Sequence, residues 1–213
     1  MNNMPNRYVT VVGVAEYPHI EEPDTKFDEN GLYHVNLILN KDACETLIES
    51  LEADLNYFEN NDPKIQEAKA KRRPINIADI YEDLEDGTIR LKFKQKATYQ
   101  RKSDGKTMNI KIPVFDAKGK PITDTKIGGG SKLRICFTAN PYYMPATKTC
   151  GLSLRLVAVK LIELKEYGAN NAESYGFGEE EDGYSADDDV RRKDEPESKS
   201  VDELEDDYNS GDF

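Results

Sequence analysis

The centre of this chain carries a two-residue alternation of apolar and basic side chains, and this pattern restricts its possible fold more than any other feature of the sequence. From residue 88 to residue 96, the apolar Ile89, Leu91 and Phe93 alternate with basic residues. Successive side chains of a β-strand point to opposite faces, so this period predicts a strand with one face on a core and one charged face. The charged face carries Arg90, Lys92, Lys94 and Lys96.

The rest of the body favours further strands and one inserted helix. Apolar and β-branched runs predict strands at 7–15, 31–39, 107–115, 133–137 and 152–164. The Pro-, Asp- and Glu-rich stretch 16–30 predicts a loop, and apolar residues recurring every three or four positions predict an amphipathic helix at about 41–60. About six short strands and one helix predict a mainly β, OB-fold-like, partly open Greek-key barrel. An immunoglobulin-like sandwich is the alternative, although an inserted helix is unusual there.

Charge divides the chain into three regions. Residues 1–86 hold 8 basic and 19 acidic residues, residues 87–165 hold 17 and 4, and residues 166–213 hold 4 and 18. The net charge of −12 therefore hides a basic middle, and a basic patch is typical of nucleic-acid binding. The last region is rich in Gly, Ser, Asp and Glu, so we predict a folded domain over 1–165 and a disordered acidic tail over 166–213.

The candidate binding residues are cations and aromatics of the basic region. Like charges spaced about 7 Å apart on a strand repel each other, and a bound phosphate backbone relieves that cost. A solvated face that prevents aggregation is the alternative. The candidate phosphate ligands are Arg90, Lys92, Lys94, Lys96, Arg101, Lys102, Lys132 and Arg134. The candidate base-stacking residues are Tyr99, Tyr142 and Tyr143, of which the last two are expected in a loop after Asn140-Pro141.

Cysteine and histidine, which supply most zinc ligands and many catalytic groups, are scarce in this chain. The three cysteines follow no C-x-x-C pattern, and the only histidines are His19 and His34, so we predict reduced thiols and no metal site. No nucleophile and base can be paired from these residues, which predicts a protein that is not an enzyme and has no cofactor. The N-terminus lacks a signal-peptide pattern, and no apolar run reaches the roughly 20 residues of a membrane span.

Several motifs occur along the chain in a distinctive order and spacing. They are Gly31-Leu32-Tyr33-His34-Val35-Asn36-Leu37, Asp86-Gly87-Thr88, Leu91-Lys92-Phe93-Lys94, Ile127-Gly128-Gly129-Gly130-Ser131-Lys132-Leu133, Asn140-Pro141-Tyr142, Val159-Lys160-Leu161-Ile162-Glu163-Leu164 and Gly211-Asp212-Phe213. Together they resemble the single-stranded DNA-binding proteins of T7-like short-tailed phages. Lys96 stands where the resemblance would allow an aromatic residue, which leaves Tyr99 as the expected base platform on that strand.

The resemblance implies an OB-fold that coats single-stranded DNA in phage replication, recombination and repair, in the cytoplasm of the infected bacterial host. It also implies a homodimer, promotion of strand annealing, and a tail that covers the DNA groove when DNA is absent. The tail would contact the phage DNA polymerase and primase-helicase through Asp206, Asp207, Asp212 and Phe213. The alternative function is an acidic interaction protein or DNA mimic with no DNA binding of its own.

Overall fold

The structure, a computed structural model, describes residues 6–26 and 28–165. The acidic tail lies outside the described residues, and so do its candidate contacts Asp206, Asp207, Asp212 and Phe213. The predicted disorder of the tail and the division of the chain at residue 165 therefore stay predictions.

The described part of the chain is mostly β-structure with two α-helices. The strands are β1 (Arg7–Val9), β2 (Gly13–Asp24), β3 (Leu32–Asn40), β4 (Asn76–Ile77), β5 (Glu82–Asp83), β6 (Thr88–Lys96), β7 (Thr98–Gln100), β8 (Thr107–Asn109), β9 (Val114–Phe115), β10 (Pro121–Ile122), β11 (Lys132–Met144) and β12 (Thr149–Glu163). A 3-10 turn (Asp42–Cys44) leads into α1 (Glu45–Asn61), which α2 (Pro63–Ala70) follows. Within the described ranges, no helix is long and apolar enough to cross a membrane.

Five long strands close into a barrel in the order β11, β2, β3, β6, β12 and back to β11. β3 pairs with β6 along its whole length, and β11 and β12 form a long antiparallel hairpin. Two seams are short: β2 meets β11 at Gly13 and Val14, and β6 runs parallel to β12 at Phe93 and Lys94. This ring with short seams confirms the predicted OB-fold-like Greek-key barrel. The expected number of about six strands is too low, because the prediction did not include several strands of two or three residues.

The inward face of β6 lies in the barrel core, as its alternation predicted. Ile89, Leu91 and Phe93 are buried, and the Phe93 ring meets the ring of Phe137 edge-on with 5.0 Å between centroids. Burying an apolar side chain of this size stabilises the fold by about 1.5–3 kcal/mol. The period of two is therefore the pattern of a half-buried barrel strand, and the predicted immunoglobulin-like alternative is excluded by the closed strand order.

The inserted helix packs on the barrel through one apolar stripe. Ile48, Leu51 and Leu55 of α1 are buried at spacings of three and four, which confirms the helix predicted at about 41–60. A second helix begins at Pro63 because the Asp62 side chain accepts hydrogen bonds from the amides of Lys64 and Ile65 at its N-terminus.

The loop predicted over 16–30 is wrong for its first half, since β2 continues to Asp24. β2 accommodates these acidic and proline residues because its hydrogen-bonded pairing with β3 is interrupted twice. One irregularity lies between Glu16 and His19, and the other lies between His19 and Asp24. Tyr17 lies within the first irregularity and has a φ of 48°. A β-bulge of this kind kinks a strand and changes which face its side chains occupy.

Candidate nucleic-acid interface

The outer face of β3 and β6 carries the main concentration of candidate ligands. OB-folds bind oligonucleotides on the face formed by their second and third barrel strands. β3 and β6 are those strands here, and their register sets His34 beside Lys94 and Asn36 beside Lys92. A cleft of about 1550 Å³ crosses this face and is lined by these four side chains together with residues of β11, β12 and the segment 77–83.

Two of the four basic side chains on the outward face of β6 are already paired with carboxylates. Arg90 donates from Nε to Glu16 and from Nη1 to Glu82, each at 2.9 Å. Lys92 lies 3.2 Å from the other carboxylate oxygen of Glu82. Hydrogen bonds from Arg90 and then Lys92 hold the pKa of Glu82 below its usual value, so Glu82 stays charged. Arg90 and Lys92 therefore present less positive charge than the sequence pattern predicted.

The other two basic residues of β6 have no carboxylate partner in the described part of the chain. Lys94 and Lys96 are exposed, and neither forms an ion pair with any residue that the structure describes. Arg155 of β12 is exposed and lies beside Lys94 in the parallel register, with its Nε donating to the Gln95 side chain. Arg155 was not among the predicted cations, although it lies between the buried Leu154 and Leu156 in the same alternation that identified β6.

A hairpin built from β7 and β8 follows Lys96 along the chain and forms a separate two-stranded sheet. The turn that contains Asp104 and Gly105 joins the two strands. Tyr99 is 50% exposed on β7. Lys102 is exposed, whereas Arg101 is 3.6 Å from Asp104 within the same hairpin. Tyr99 and Lys102 are therefore available to a strand of nucleic acid that leaves the barrel at this end.

The two neighbouring tyrosines lie in a strand and not in the loop predicted for them. Both belong to β11, because pairing with β12 continues through Pro141 to Met144 and overrides the Asn140-Pro141 turn signal. Adjacent residues of a strand face opposite ways. Tyr142 lines the cleft, with its hydroxyl end over Gly151, whereas Tyr143 packs against a buried cluster that includes Leu55 and Cys150. Of this pair, only Tyr142 is placed to meet a base.

Lys132 and Arg134 do not join the β3–β6 face. They lie on β11, which pairs with β1, β2 and β12 and is separated from β6 by other strands around the barrel. Lys132 forms an ion pair with Glu163, and the Nε of Arg134 donates to the Thr10 carbonyl at 3.0 Å. The structure thus does not bring these two cations together with the lysines of β6.

The wall of the cleft is a segment in which the sequence pattern predicted no candidate residue. Residues 77–83 lie along the cleft and contribute Tyr81, an aromatic side chain not anticipated as a candidate, and the carboxylates of Asp79, Glu82 and Asp83. β4 and β5 hold this segment in place by pairing with β12 and β6. The cleft therefore has a basic floor and an acidic rim.

Comparison with known proteins agrees with this geometry. The sequence model of the single-stranded DNA-binding protein family of bacteriophage T7 matches residues 12–164. The chain belongs to this family. The single-stranded DNA-binding protein of Enterobacteria phage T3 is 32% identical over 208 residues, which cover 89% of this chain and 90% of that protein. The counterpart of Escherichia phage T7 is 32% identical over 197 residues, 84% of each chain.

Solved structures support the same assignment. The crystal structure of gp2.5, a single-stranded DNA-binding protein encoded by bacteriophage T7, matches with a TM-score of 0.69 and 30% identity, covering 86% of this chain and 100% of that one. The single-stranded DNA-binding protein of bacteriophage Enc34 in complex with ssDNA matches with a TM-score of 0.51 at 10% identity, over 76% of this chain and 89% of that one, and so shares the fold. Membership of a family of binding proteins confirms that the chain is not an enzyme.

Proposed function

We propose that this chain binds single-stranded DNA along the outer face of β3 and β6 and coats it during phage DNA replication and recombination. The observation that carries the proposal is the pair Lys94 and Lys96, which stand exposed on this face with no ion pair among the described residues. Family membership supports single-stranded DNA as the polyanion.

Phosphates would meet a line of cations that begins at Lys92 and continues over the hairpin. Alternate residues of a strand lie about 7 Å apart, so Lys92, Lys94 and Lys96 offer evenly spaced contacts along the backbone of the nucleic acid. Arg155 and Lys102 extend this line on either side. Because phosphate contacts carry no sequence information, we expect binding with little base preference.

Bases would stack at the two ends of the same face. Tyr142 lies in the cleft, and Tyr99 is half exposed on the hairpin beyond Lys96. Stacking on an aromatic side chain contributes about 1–3 kcal/mol per base and tolerates any sequence. Two platforms separated by a line of cations are a suitable arrangement for an extended single strand.

The test is the anisotropy of a labelled oligo-dT strand titrated with the full-length chain over a range of salt concentrations. Four to six phosphate contacts correspond to a slope of log K against log[salt] between about −3 and −4 on a single strand. A slope near zero, or no binding, would refute electrostatic coating and favour the acidic interaction protein.

The acidic tail would act as a built-in competitor and as a recruiting peptide. Its 18 acidic residues resemble a polyanion, and tethering gives them a high effective concentration near the basic face. DNA would displace the tail and free Phe213, with Asp206, Asp207 and Asp212, to contact the phage DNA polymerase and primase-helicase. We extend the proposal to strand annealing, to a homodimer, and to action in the cytoplasm of the infected host.

Two tail variants separate these roles. A chain that ends at Lys165 should bind oligo-dT more tightly than the full-length chain and should lose binding to both partners. Removal of Phe213 alone should leave DNA affinity nearly unchanged, because Asp212 then carries the terminal carboxylate and the tail loses no negative charge. The same deletion should still weaken partner binding. Weaker DNA binding by the truncated chain would refute the competitor role.

A further inference from the structure

Three potential metal ligands from β2 and β3 lie together on the outer wall of the barrel. They are His19, Asp24 and His34, and one donor atom of each lies within 4.8 Å of the other two. The imidazole centroids are 4.7 Å apart, and the Nε2 of His34 is 3.4 Å from the Oδ2 of Asp24. Two ligands of a tetrahedral zinc ion, with bonds of about 2.0–2.2 Å, are separated by about 3.3–3.6 Å. The His34–Asp24 spacing already matches that geometry.

A bulge in β2 turns His19 towards this cluster. Ala15 is buried, and in an uninterrupted strand His19 would share its inward face, because alternate residues point the same way. The register shift after Glu16 reverses the alternation, so that His19 is exposed and pairs across the strands with His34. Tyr17 accommodates the shift with a φ of 48°, a conformation that costs a residue with a side chain about 1 kcal/mol or more.

A hydrogen bond orients the carboxylate of Asp24, the one ligand that is not a histidine. The Lys26 backbone amide donates to the Oδ1 of Asp24 at 2.8 Å, which leaves the Oδ2 facing His34. Hydrogen bonds from a second layer of groups fix ligating carboxylates in this way in metal sites. A second register shift, between His19 and Asp24, returns the Asp24 side chain to the same side of the sheet as the two imidazoles.

We propose that His19, Asp24 and His34 bind a divalent transition-metal ion, with zinc as the best match to two imidazole nitrogens and one carboxylate oxygen. Three protein ligands leave the fourth tetrahedral position to water. The sequence predicted no metal site because the two histidines follow no ligand motif along the chain. The register between β2 and β3 is what brings them together.

The surroundings set the expected strength of the site. Lys94 is the β6 neighbour of His34, and its positive charge opposes that of the metal ion. The single carboxylate of Asp24 offsets only part of the ion's charge. We therefore expect zinc to bind more weakly than in closed four-ligand structural sites, with an ion that exchanges with free zinc in solution.

The experiment uses the full-length, untagged chain after removal of metals with a chelator. Zinc chloride is titrated by calorimetry and by NMR of the imidazole signals, which report only on this cluster because the chain has two histidines. We expect one equivalent to bind and both sets of imidazole signals to shift together. Cobalt(II) should develop the visible absorption of a tetrahedral site.

Substitutions complete the test. His19→Gln and Asp24→Asn should each lower zinc affinity by at least about tenfold, a loss typical of disturbed metal sites. Glu22→Gln, at an exposed carboxylate on the same strand outside the cluster, should match the wild-type chain. Imidazole signals that do not move at saturating zinc, or equal affinity in the His19→Gln variant, would overturn the proposal. If the acidic tail alone bound the zinc, the imidazole signals would not move and the His19→Gln variant would bind zinc as tightly as the wild-type chain.

Discussion

Glu82 and Lys92 form an ion pair on the outer face of the barrel, with 3.2 Å between the Lys92 Nζ and a Glu82 carboxylate oxygen. The second oxygen of the same carboxylate accepts a hydrogen bond from Arg90. A carboxylate of the chain thus occupies a position on the basic face that a phosphate oxygen could take. The affinity of this face for phosphate groups therefore depends on competition from the chain's own carboxylates as well as on the number of lysines.

Glu82→Gln is expected to tighten binding of single-stranded DNA. The change removes the competing charge from Lys92 and Arg90, and an exposed ion pair contributes about 0.2–1 kcal/mol, so the Kd should fall by a factor of about 1.4 to 5. Anisotropy of labelled oligo-dT at low salt measures the change. Glu85→Gln is the matched control, because Glu85 is exposed three residues after Glu82 and forms no ion pair with a described residue. Equal tightening in both variants would contradict a specific role for Glu82.

Lys94→Ala and Lys96→Ala are each expected to weaken DNA binding and its salt dependence. Loss of one phosphate contact should reduce the magnitude of the salt slope by about 0.7 on a single strand. Lys132→Ala serves as the control because Lys132 lies on β11 and is paired with Glu163. Titrations at several salt concentrations give the slopes. A loss at Lys132 as large as that at Lys94 would show that the DNA path also crosses β11.

Tyr142→Ala should weaken DNA binding, whereas Tyr143→Ala should lower the stability of the fold. Tyr142 lines the cleft, so its removal should weaken oligo-dT binding about tenfold, a loss of stacking of about 1.4 kcal/mol, with little change in stability. Tyr143 packs against the buried Leu55 cluster, so its removal should lower the free energy of unfolding by about 1–3 kcal/mol. Urea denaturation and DNA titration of both variants separate the effects, and a reversed outcome would contradict the assigned faces.

Gly13→Ala is expected to destabilise the barrel strongly. A Cβ at this position would lie 2.6 Å from the Ile38 carbonyl oxygen and 2.5 Å from a Leu39 methyl carbon. Backbone cannot move aside cheaply at the short seam where β2 meets β11, so we expect a loss of about 1–3 kcal/mol, the range of overpacked cores. Gly129→Ala is the control, since its nearest neighbour would be 3.9 Å away. Equal urea midpoints for the two variants would refute this account.

Much of the fold could be predicted from local pattern alone. The alternation from Ile89 to Phe93 and the three-four spacing of Ile48, Leu51 and Leu55 are direct consequences of strand and helix geometry. The loop expected over 16–30 failed because proline and acidic residues are turn signals only where no neighbouring strand offers pairing. β3 offers it here, and two bulges absorb the mismatch.

The candidate site could be predicted only in part. Sequence alternation identified which cations point outward, but Arg90 is paired with Glu16 from a distant strand, and no local pattern reveals that contact. The same limit applies to Tyr142 and Tyr143, because the sequence does not show which of these two adjacent residues faces the cleft. Arg155 was not among the predicted cations even though it alternates with the buried Leu154 and Leu156.

The segregation of charge, the strand and helix periods, and the basic outward face of β6 follow directly from the sequence, because they depend on neighbours along the chain. Tertiary pairing settles which lysines of β6 lack an ion pair among the described residues and which tyrosine faces the cleft. It alone brought His19, Asp24 and His34 within 4.8 Å of one another. These outcomes depend on strand register and on bulges, and register is set by the pairing of segments far apart in the chain.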